Sequence, residues 1–168
     1  DNAVTVAMAM GCSTNAIIHL IAMARRAGIR LTMDDLDKKG RVIPLLANIR
    51  PSGNNYLMED FFYAGGILSL MNSLADNLNL EEITVTGSKL GEIIDGKETL
   101  NRDIIRSLDN PIYKEGSLAV LKGNLAPDGC VIKPAACDKR FFKHRGPAIV
   151  FNSYPDMKKI IDSDELDV

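Results

Sequence analysis

Apolar residues recur at helical spacing through the first half of the chain. Ile17, Ile18, Ile21, Met23 and Ala24 gather on one side of a helix that Gly28 can end. Ahead of that run stand Gly11, Cys12, Ser13, Thr14 and Asn15, a glycine followed by short polar side chains of the kind that cap a helix N-terminus. Thr32 then caps a short turn, with Asp34 and Asp35 in its first positions, where acids suit the helix dipole. Pro44 and the stretch Arg50-Pro51-Ser52-Gly53-Asn54-Asn55 break the pattern and read as loop. Helical spacing returns over residues 58–78, carried by Phe61, Phe62, Ile67, Leu68, Leu70, Met71 and Leu74. Gly65 and Gly66 interrupt it, and each glycine costs a helix interior about 1 kcal/mol relative to alanine, so the pattern predicts a break there.

The second half changes character near Glu81. Ile83-Thr84-Val85-Thr86 is short and β-branched, and residues 90–94 suit one helical turn. Leu118-Ala119-Val120-Leu121 and Cys130-Val131-Ile132-Lys133 read as strands, joined by Asn124-Leu125-Ala126-Pro127-Asp128-Gly129, a turn in which Pro fixes φ and Gly supplies a positive one. Pro147-Ala148-Ile149-Val150-Phe151 reads as a third strand, and Tyr154-Pro155-Asp156 starts a helix running through Ile161. Helices followed by strands suggest two parts, residues 1–80 and 81–168, with the seam near 79–83.

Composition narrows the partners. Hydrophobic residues make up 46% and charged residues 25% of 168 positions, as in a soluble globular protein. A net charge of −2 gives no electrostatic footprint for nucleic acid, and no apolar run is long enough to cross a bilayer. The chain opens on Asp1-Asn2-Ala3, which reads as the absence of a signal peptide and, without an initiator Met, as a piece of a longer chain. Three cysteines, an odd number, argue against a disulfide framework and fit the cytoplasm.

Several clusters could carry chemistry. The helix entry at Ser13, Thr14 and Asn15 suits either a plain capped helix or a site for a carboxylate or phosphate, because its free N–H groups and the dipole favour an anion. Cys137-Asp138-Lys139 invites a redox or metal reading, but Cys12, Cys130 and Cys137 lack any Cys-x-x-Cys spacing and read better as small thiols without a ligand role. His19 reads as a packed, hydrogen-bonded histidine. Lys139, Arg140, Lys143, His144 and Arg145 read as a solvated basic cluster that could also hold an anion. Glu59 and Asp60 complement the dipole of the helix they open, or turn one carboxylate into a site as a base.

Several segments taken together resemble the dihydroxy-acid and sugar-acid dehydratase family. They are Met8-Ala9-Met10-Gly11-Cys12-Ser13-Thr14-Asn15-Ala16 with His19-Leu20, Pro51-Ser52-Gly53 with Met58-Glu59-Asp60, Ala64-Gly65-Gly66, and Thr84-Val85-Thr86-Gly87. The longest is Gly116-Ser117-Leu118-Ala119-Val120-Leu121-Lys122-Gly123-Asn124-Leu125-Ala126-Pro127-Asp128-Gly129. The resemblance runs over essentially the whole chain. Cys12 stands where the family has a second glycine, a mild departure that fits a tolerated small residue rather than a ligand.

That resemblance implies a mixed α/β fold: the helix-rich remainder of an N-terminal α/β domain, then the start of a β-barrel-like swivelling domain. It also implies an enzyme removing water from a 2,3-dihydroxy carboxylic acid to give a 2-oxo-3-deoxy acid. A [2Fe-2S] cluster would take the departing oxygen, and Mg²⁺ would bind the carboxylate and C2 oxygen. The family's cluster cysteines, Mg²⁺ ligands and catalytic serine are expected outside these residues, so no metal ligand and no catalytic residue is assigned here. Cys137-Asp138-Lys139 only looks like the family's Cys-Asp-Lys motif, because it follows the Val131-Ile132-Lys133 strand where the family carries a variable loop. Ser13, Thr14 and Asn15 are the candidate substrate-binding residues. Residues 56–66, Ile132-Lys133-Pro134-Ala135-Ala136, Lys143-His144-Arg145-Gly146 and the ending Asp164-Glu165-Leu166-Asp167-Val168 resemble the aldonic-acid (arabinonate or xylonate) branch more than the branched-chain one. The partners implied are a small dihydroxy acid, the remaining segments of the same enzyme and further copies in a dimer or tetramer. The alternative is a binding or swivel module with no activity of its own.

Overall fold

In the computed structural model, which describes residues 1–163, the apolar run before Gly11 is itself a helix. This α1 (Asn2–Met10) buries Val4, Thr5, Met8 and Ala9. Its small and apolar residues give it little polar face, so no helical period marks it in the sequence. Next comes α2 (Asn15–Arg26), with Ile17 as its buried residue and Ile18 left 69% exposed. The short turn expected after Thr32 is a full helix, α3 (Met33–Val42). A reciprocal cap starts it: the Thr32 hydroxyl accepts from the Asp35 N–H at 3.2 Å, and Asp35 Oδ2 accepts from the Thr32 N–H at 3.0 Å.

Residues 43–49 are the spine of the core. Ile43, Leu45, Leu46 and Ala47 are each 1% exposed or less. The stretch is extended, and its backbone groups are satisfied from several directions. The N–H groups of Leu46 and Ala47 both donate to the Ala9 carbonyl, Asn48 N–H donates to Ile104 O at 2.8 Å, and Leu45 bridges to Tyr113. A continuous apolar run is what a segment buried on both sides requires.

The helical stretch after Met58 breaks where the glycines predict. It splits into α4 (Met58–Tyr63) and α5 (Gly66–Ser73), followed by a 3-10 turn at Ala75–Asn77. Gly65 takes φ 114°, and a Cβ there would stand 2.6 Å from Ser69 Oγ. Residues 90–94 form the expected short helix, α6 (Leu90–Ile94).

Among the described residues the paired strands form one antiparallel sheet, β1 (Ala119–Gly123) with β2 (Ala126–Ile132). The register pairs Ala119 with Ile132, Leu121 with Cys130 and Gly123 with Ala126. The turn is therefore tighter than the sequence suggests: Pro127, Asp128 and Gly129 belong to β2, and the reversal is Asn124-Leu125. Two contacts tie the hairpin to α3. Asp37 Oδ1 accepts from the Val120 N–H at 2.8 Å, and Lys122 pairs with Asp34.

The chain divides into two compact units, Asp1–Cys137 and the residues from Asp138 on. The second unit contains a 3-10 turn at Lys139–Phe142 and α7 (Tyr154–Ile160), where Ser153 Oγ accepts from the Asp156 N–H. The strand expected at residues 147–151 does not form. Those residues have no ladder partner among the described ones, and Val150 is 87% exposed.

Candidate functional site

At the entry to α2, polar side chains stand on a backbone held by several hydrogen bonds. Gly11 ends α1 with φ 86° and ψ 44°, the left-handed conformation that suits a glycine cap. Space demands glycine as well: a Cβ would lie 2.9 Å from Ser52 Oγ and 3.2 Å from Leu45 Cδ1. Cys12 N–H then donates back to Ala7 O at 3.2 Å, and Gly11 O accepts from Lys133 Nζ at 3.1 Å.

Ser13, Thr14 and Asn15 follow, all exposed. Ser13 Oγ accepts from the Asn15 N–H at 3.2 Å, Ser13 O from Ala16 N–H at 2.9 Å, and Thr14 O from Ile17 N–H at 3.2 Å. Much of the free N–H capacity expected at this helix end is thus taken up locally. What the turn offers outward is the Thr14 hydroxyl and the Asn15 amide, with Ser13 beside them. Thr14 and Asn15 also line a groove of about 590 Å³, with Ile18, Arg25, Gly129 and Cys130 among its other walls.

Cys12 and Ser117 lie under this turn. Burial pushes the Cys12 thiol above its ordinary value, opposed by a hydrogen bond with Ser117 and by the nearby charge of Lys133. Burial also pushes the Lys133 ammonium below its ordinary value. Ser117 is fully buried and donates from its hydroxyl to Ala7 O at 3.4 Å. Ser52 packs against Gly11 at 3% exposure, and its hydroxyl has no hydrogen-bond partner among the described residues. The loop around it is anchored through Asn48, which donates to Asp103 O at 3.1 Å and accepts from the Asn54 N–H at 3.3 Å.

Other candidates fall elsewhere. His19 is exposed on α2, not packed as its sequence context suggests, because α2 turns little more than Ile17 into the core. Asp60 Oδ2 accepts from the Leu57 N–H at 2.7 Å, which is the capping role, while Glu59 is exposed. In the second unit Arg140 forms an ion pair with Asp138 at 2.8 Å and lies 5.6 Å from the Phe141 ring centre. Arg140 holds the Asp138 carboxyl below its ordinary value.

The described residues do not fit an iron–sulfur cluster or a magnesium site. Among the described residues no group of three or more His, Cys, Asp or Glu side chains could hold a metal ion. Cys12 is buried with its thiol held protonated, and Cys130 is exposed on β2. Sequence reasoning missed Lys133, Ser117 and Ser52. Lys133 leaves one signal, a charged residue closing the otherwise uncharged Cys130-Val131-Ile132 run.

Comparison with known proteins decides the family. The profile of the dihydroxy-acid/6-phosphogluconate dehydratase N-terminal region matches residues 1–93, and that of the C-terminal region matches residues 103–168. The chain belongs to the dihydroxy-acid/6-phosphogluconate dehydratase family. Within this family it is 46% identical to a 6-deoxy-6-sulfo-D-gluconate dehydratase of Pseudomonas putida, over 99% of this chain and 29% of that protein. It is 41% identical to an L-arabinonate dehydratase of Rhizobium leguminosarum bv. trifolii, over 100% and 29%. It is 43% identical to dihydroxy-acid dehydratase 1 of Methanosarcina acetivorans, over 98% and 30%. The chain thus spans 29–30% of the length of these dehydratases. Gly11 and Ser13 to Asn15 fall in the stretch matched by the N-terminal profile, and Ser117 and Lys133 in the stretch matched by the C-terminal one. No helix of the described residues is long and apolar enough to cross a membrane.

Proposed function

We propose that this chain is an internal portion of a hydro-lyase that converts a 2,3-dihydroxy carboxylic acid into a 2-oxo-3-deoxy acid, in which Ser13, Thr14 and Asn15 line the substrate site. The observation that carries the reading is the family match together with the turn at residues 11–15, whose polar side chains face outward from a backbone fixed on several sides. Residues 1–80 would close the N-terminal domain and residues 81–168 would open the β-rich swivelling one. The order of the two matched profiles supports that sequence of parts.

In the reaction, the C2 proton and the C3 hydroxyl leave as water, and the resulting enol tautomerises to the 2-oxo acid. The part assigned to these residues is orientation. The Thr14 hydroxyl and Asn15 amide would hydrogen-bond substrate hydroxyls and hold the C2–C3 bond in one rotamer, beside a largely apolar groove. The [2Fe-2S] cluster, Mg²⁺ and the proton-removing base are assigned to the remaining segments of the same polypeptide, which pack with this chain in a cytoplasmic homodimer or homotetramer.

A sugar acid is the favoured substrate and a branched-chain dihydroxy acid the next. Residues 56–66, 132–136 and 143–146 support the sugar-acid assignment through their likeness to the aldonic-acid branch. The ending at residues 164–168, part of the same likeness, lies outside the described residues. Two of the relatives named above act on sugar acids by name, which favours the same side.

The test is 2-oxo acid formation by the complete polypeptide, reconstituted anaerobically with iron, sulfide and Mg²⁺. L-Arabinonate, D-xylonate and 2,3-dihydroxyisovalerate are the acids to compare. The expected outcome is turnover of an aldonic acid with kcat/KM at least about tenfold above that for dihydroxyisovalerate. No 2-oxo acid from any of the three would refute the dehydratase reading and leave the non-catalytic module.

A further inference from the structure

Lys133 is a charged group that has no counter-ion among the described residues. It follows directly on β2 and is half-buried. Burying part of an ammonium opposite a neutral carbonyl is unfavourable compared with leaving it in water. A lysine stem is long enough to reach solvent, so the geometry calls for a reason why the charge points inward.

The bond it makes supplies that reason. Lys133 Nζ donates to Gly11 O at 3.1 Å, across 122 positions of sequence. The same peptide unit, Gly11 C=O with Cys12 N–H, donates at its other end to Ala7 O at 3.2 Å. One peptide plane is therefore gripped at both polar ends. Gly11 has no Cβ, so the flanking torsions that would let this plane rotate are soft. It is also the plane through which the end of α1 hands over to Ser13, Thr14 and Asn15. Rotating it would re-aim those side chains without breaking any element.

We propose that Lys133 is a positioning residue for the dehydration, fixing the Gly11–Cys12 peptide and so aiming Ser13, Thr14 and Asn15 at the substrate. The inference rests on the reading that this turn lines the site. It further implies that the residue following β2, in the stretch matched by the C-terminal profile, controls a substrate-binding turn in the stretch matched by the N-terminal one.

The test uses Lys133→Met, which keeps the apolar stem and removes the donor, and Lys133→Arg, which restores one. Lys122→Met is the control, because Lys122 also ties the hairpin to a helix but through Asp34, on α3. Two readouts are taken in the complete enzyme: amide hydrogen exchange over residues 12–17, and kcat, KM and melting temperature. The expected result for Lys133→Met is faster exchange at residues 12–17 and a fall in kcat of about tenfold or more, with a melting temperature no lower than that of Lys122→Met. Lys133→Arg recovers most of kcat, and Lys122→Met leaves both exchange and kcat near wild type.

Unchanged exchange in Lys133→Met overturns the proposal, and so does a kcat loss that Lys122→Met shares in proportion to its melting temperature. Failure of the underlying reading looks different. Exchange then rises in Lys133→Met as expected, but Ser13→Ala and Thr14→Val keep full kcat/KM, and the proposal falls with the reading.

Discussion

Replacing Gly40 by alanine separates what the sequence favours from what the structure allows. Gly40 lies within α3, two residues from its end, and helix propensity alone makes alanine the better residue there by about 1 kcal/mol. The structure reverses the sign. A Cβ on Gly40 would stand 2.8 Å from the Leu118 carbonyl oxygen, well inside van der Waals contact, with Met8 Sδ at 3.5 Å. The offending atom is backbone, so relief requires moving the chain that leads into β1. That chain is held by Gly116 N–H to Gly40 O at 2.6 Å and Ser117 N–H to Met8 O at 3.1 Å. Overpacking of this kind costs about 1–3 kcal/mol, and weakening one of those bonds adds up to about 1 kcal/mol. Set against the propensity gain, Gly40→Ala is destabilising by up to about 3 kcal/mol, or a melting temperature lower by up to roughly 12 °C for a chain of this size. Urea unfolding followed by circular dichroism measures it, with Lys38→Ala as an exposed control in the same helix. A Gly40→Ala midpoint at or above wild type would refute the close approach of α3 to residues 116–118.

Thr32→Ala removes the α3 cap and is expected to lower stability by about 1 kcal/mol in the same assay. The Thr32 hydroxyl and N–H hold the Asp35 carboxyl below its ordinary 3.8, so the charged form is favoured in the folded state. That contribution is present above the ordinary value and lost as pH falls through the lowered one, so Asp35→Asn flattens the acid side of a melting-temperature profile from the ordinary 3.8 downward. The raised Cys12 thiol works at the other end. Its contribution is present below the ordinary 9.0 and is lost as pH climbs toward the raised value, and Cys12→Ala removes that alkaline loss. With iodoacetamide at about pH 8, Cys130 reacts in the folded chain and Cys12 only on unfolding. Anaerobic reconstitution of this chain alone with iron and sulfide is expected to give no stoichiometric cluster. A stable cluster lost on mutating Cys12, Cys130 or Cys137 would contradict the ligand assignment.

The parts legible in the sequence were those whose signal is local. The cap at Thr32, the break at Gly65-Gly66, the short helix at residues 90–94 and the hairpin strands each rest on neighbours within a few positions. What escaped depends on partners far away. The first helix has no polar face to give it a period, and residues 43–49 are extended because Ala9, Ile104 and Tyr113 satisfy their backbone. The β-branched stretch at residues 147–151 looked like a strand but has nothing to pair with among the described residues. The site divided in the same way. Ser13, Thr14 and Asn15 announce a helix entry by their order, whereas Lys133 reaches Gly11 from 122 positions away. No local pattern encodes that reach.

The most direct test of the account is the kinetics of Ser13→Ala and Thr14→Val in the complete enzyme, with melting temperature as the check on folding. The account predicts that kcat/KM for the preferred dihydroxy acid falls about tenfold or more in at least one variant, at unchanged stability. Full kcat/KM in both variants, with stability intact, would contradict it and remove the turn at residues 11–15 from the substrate site.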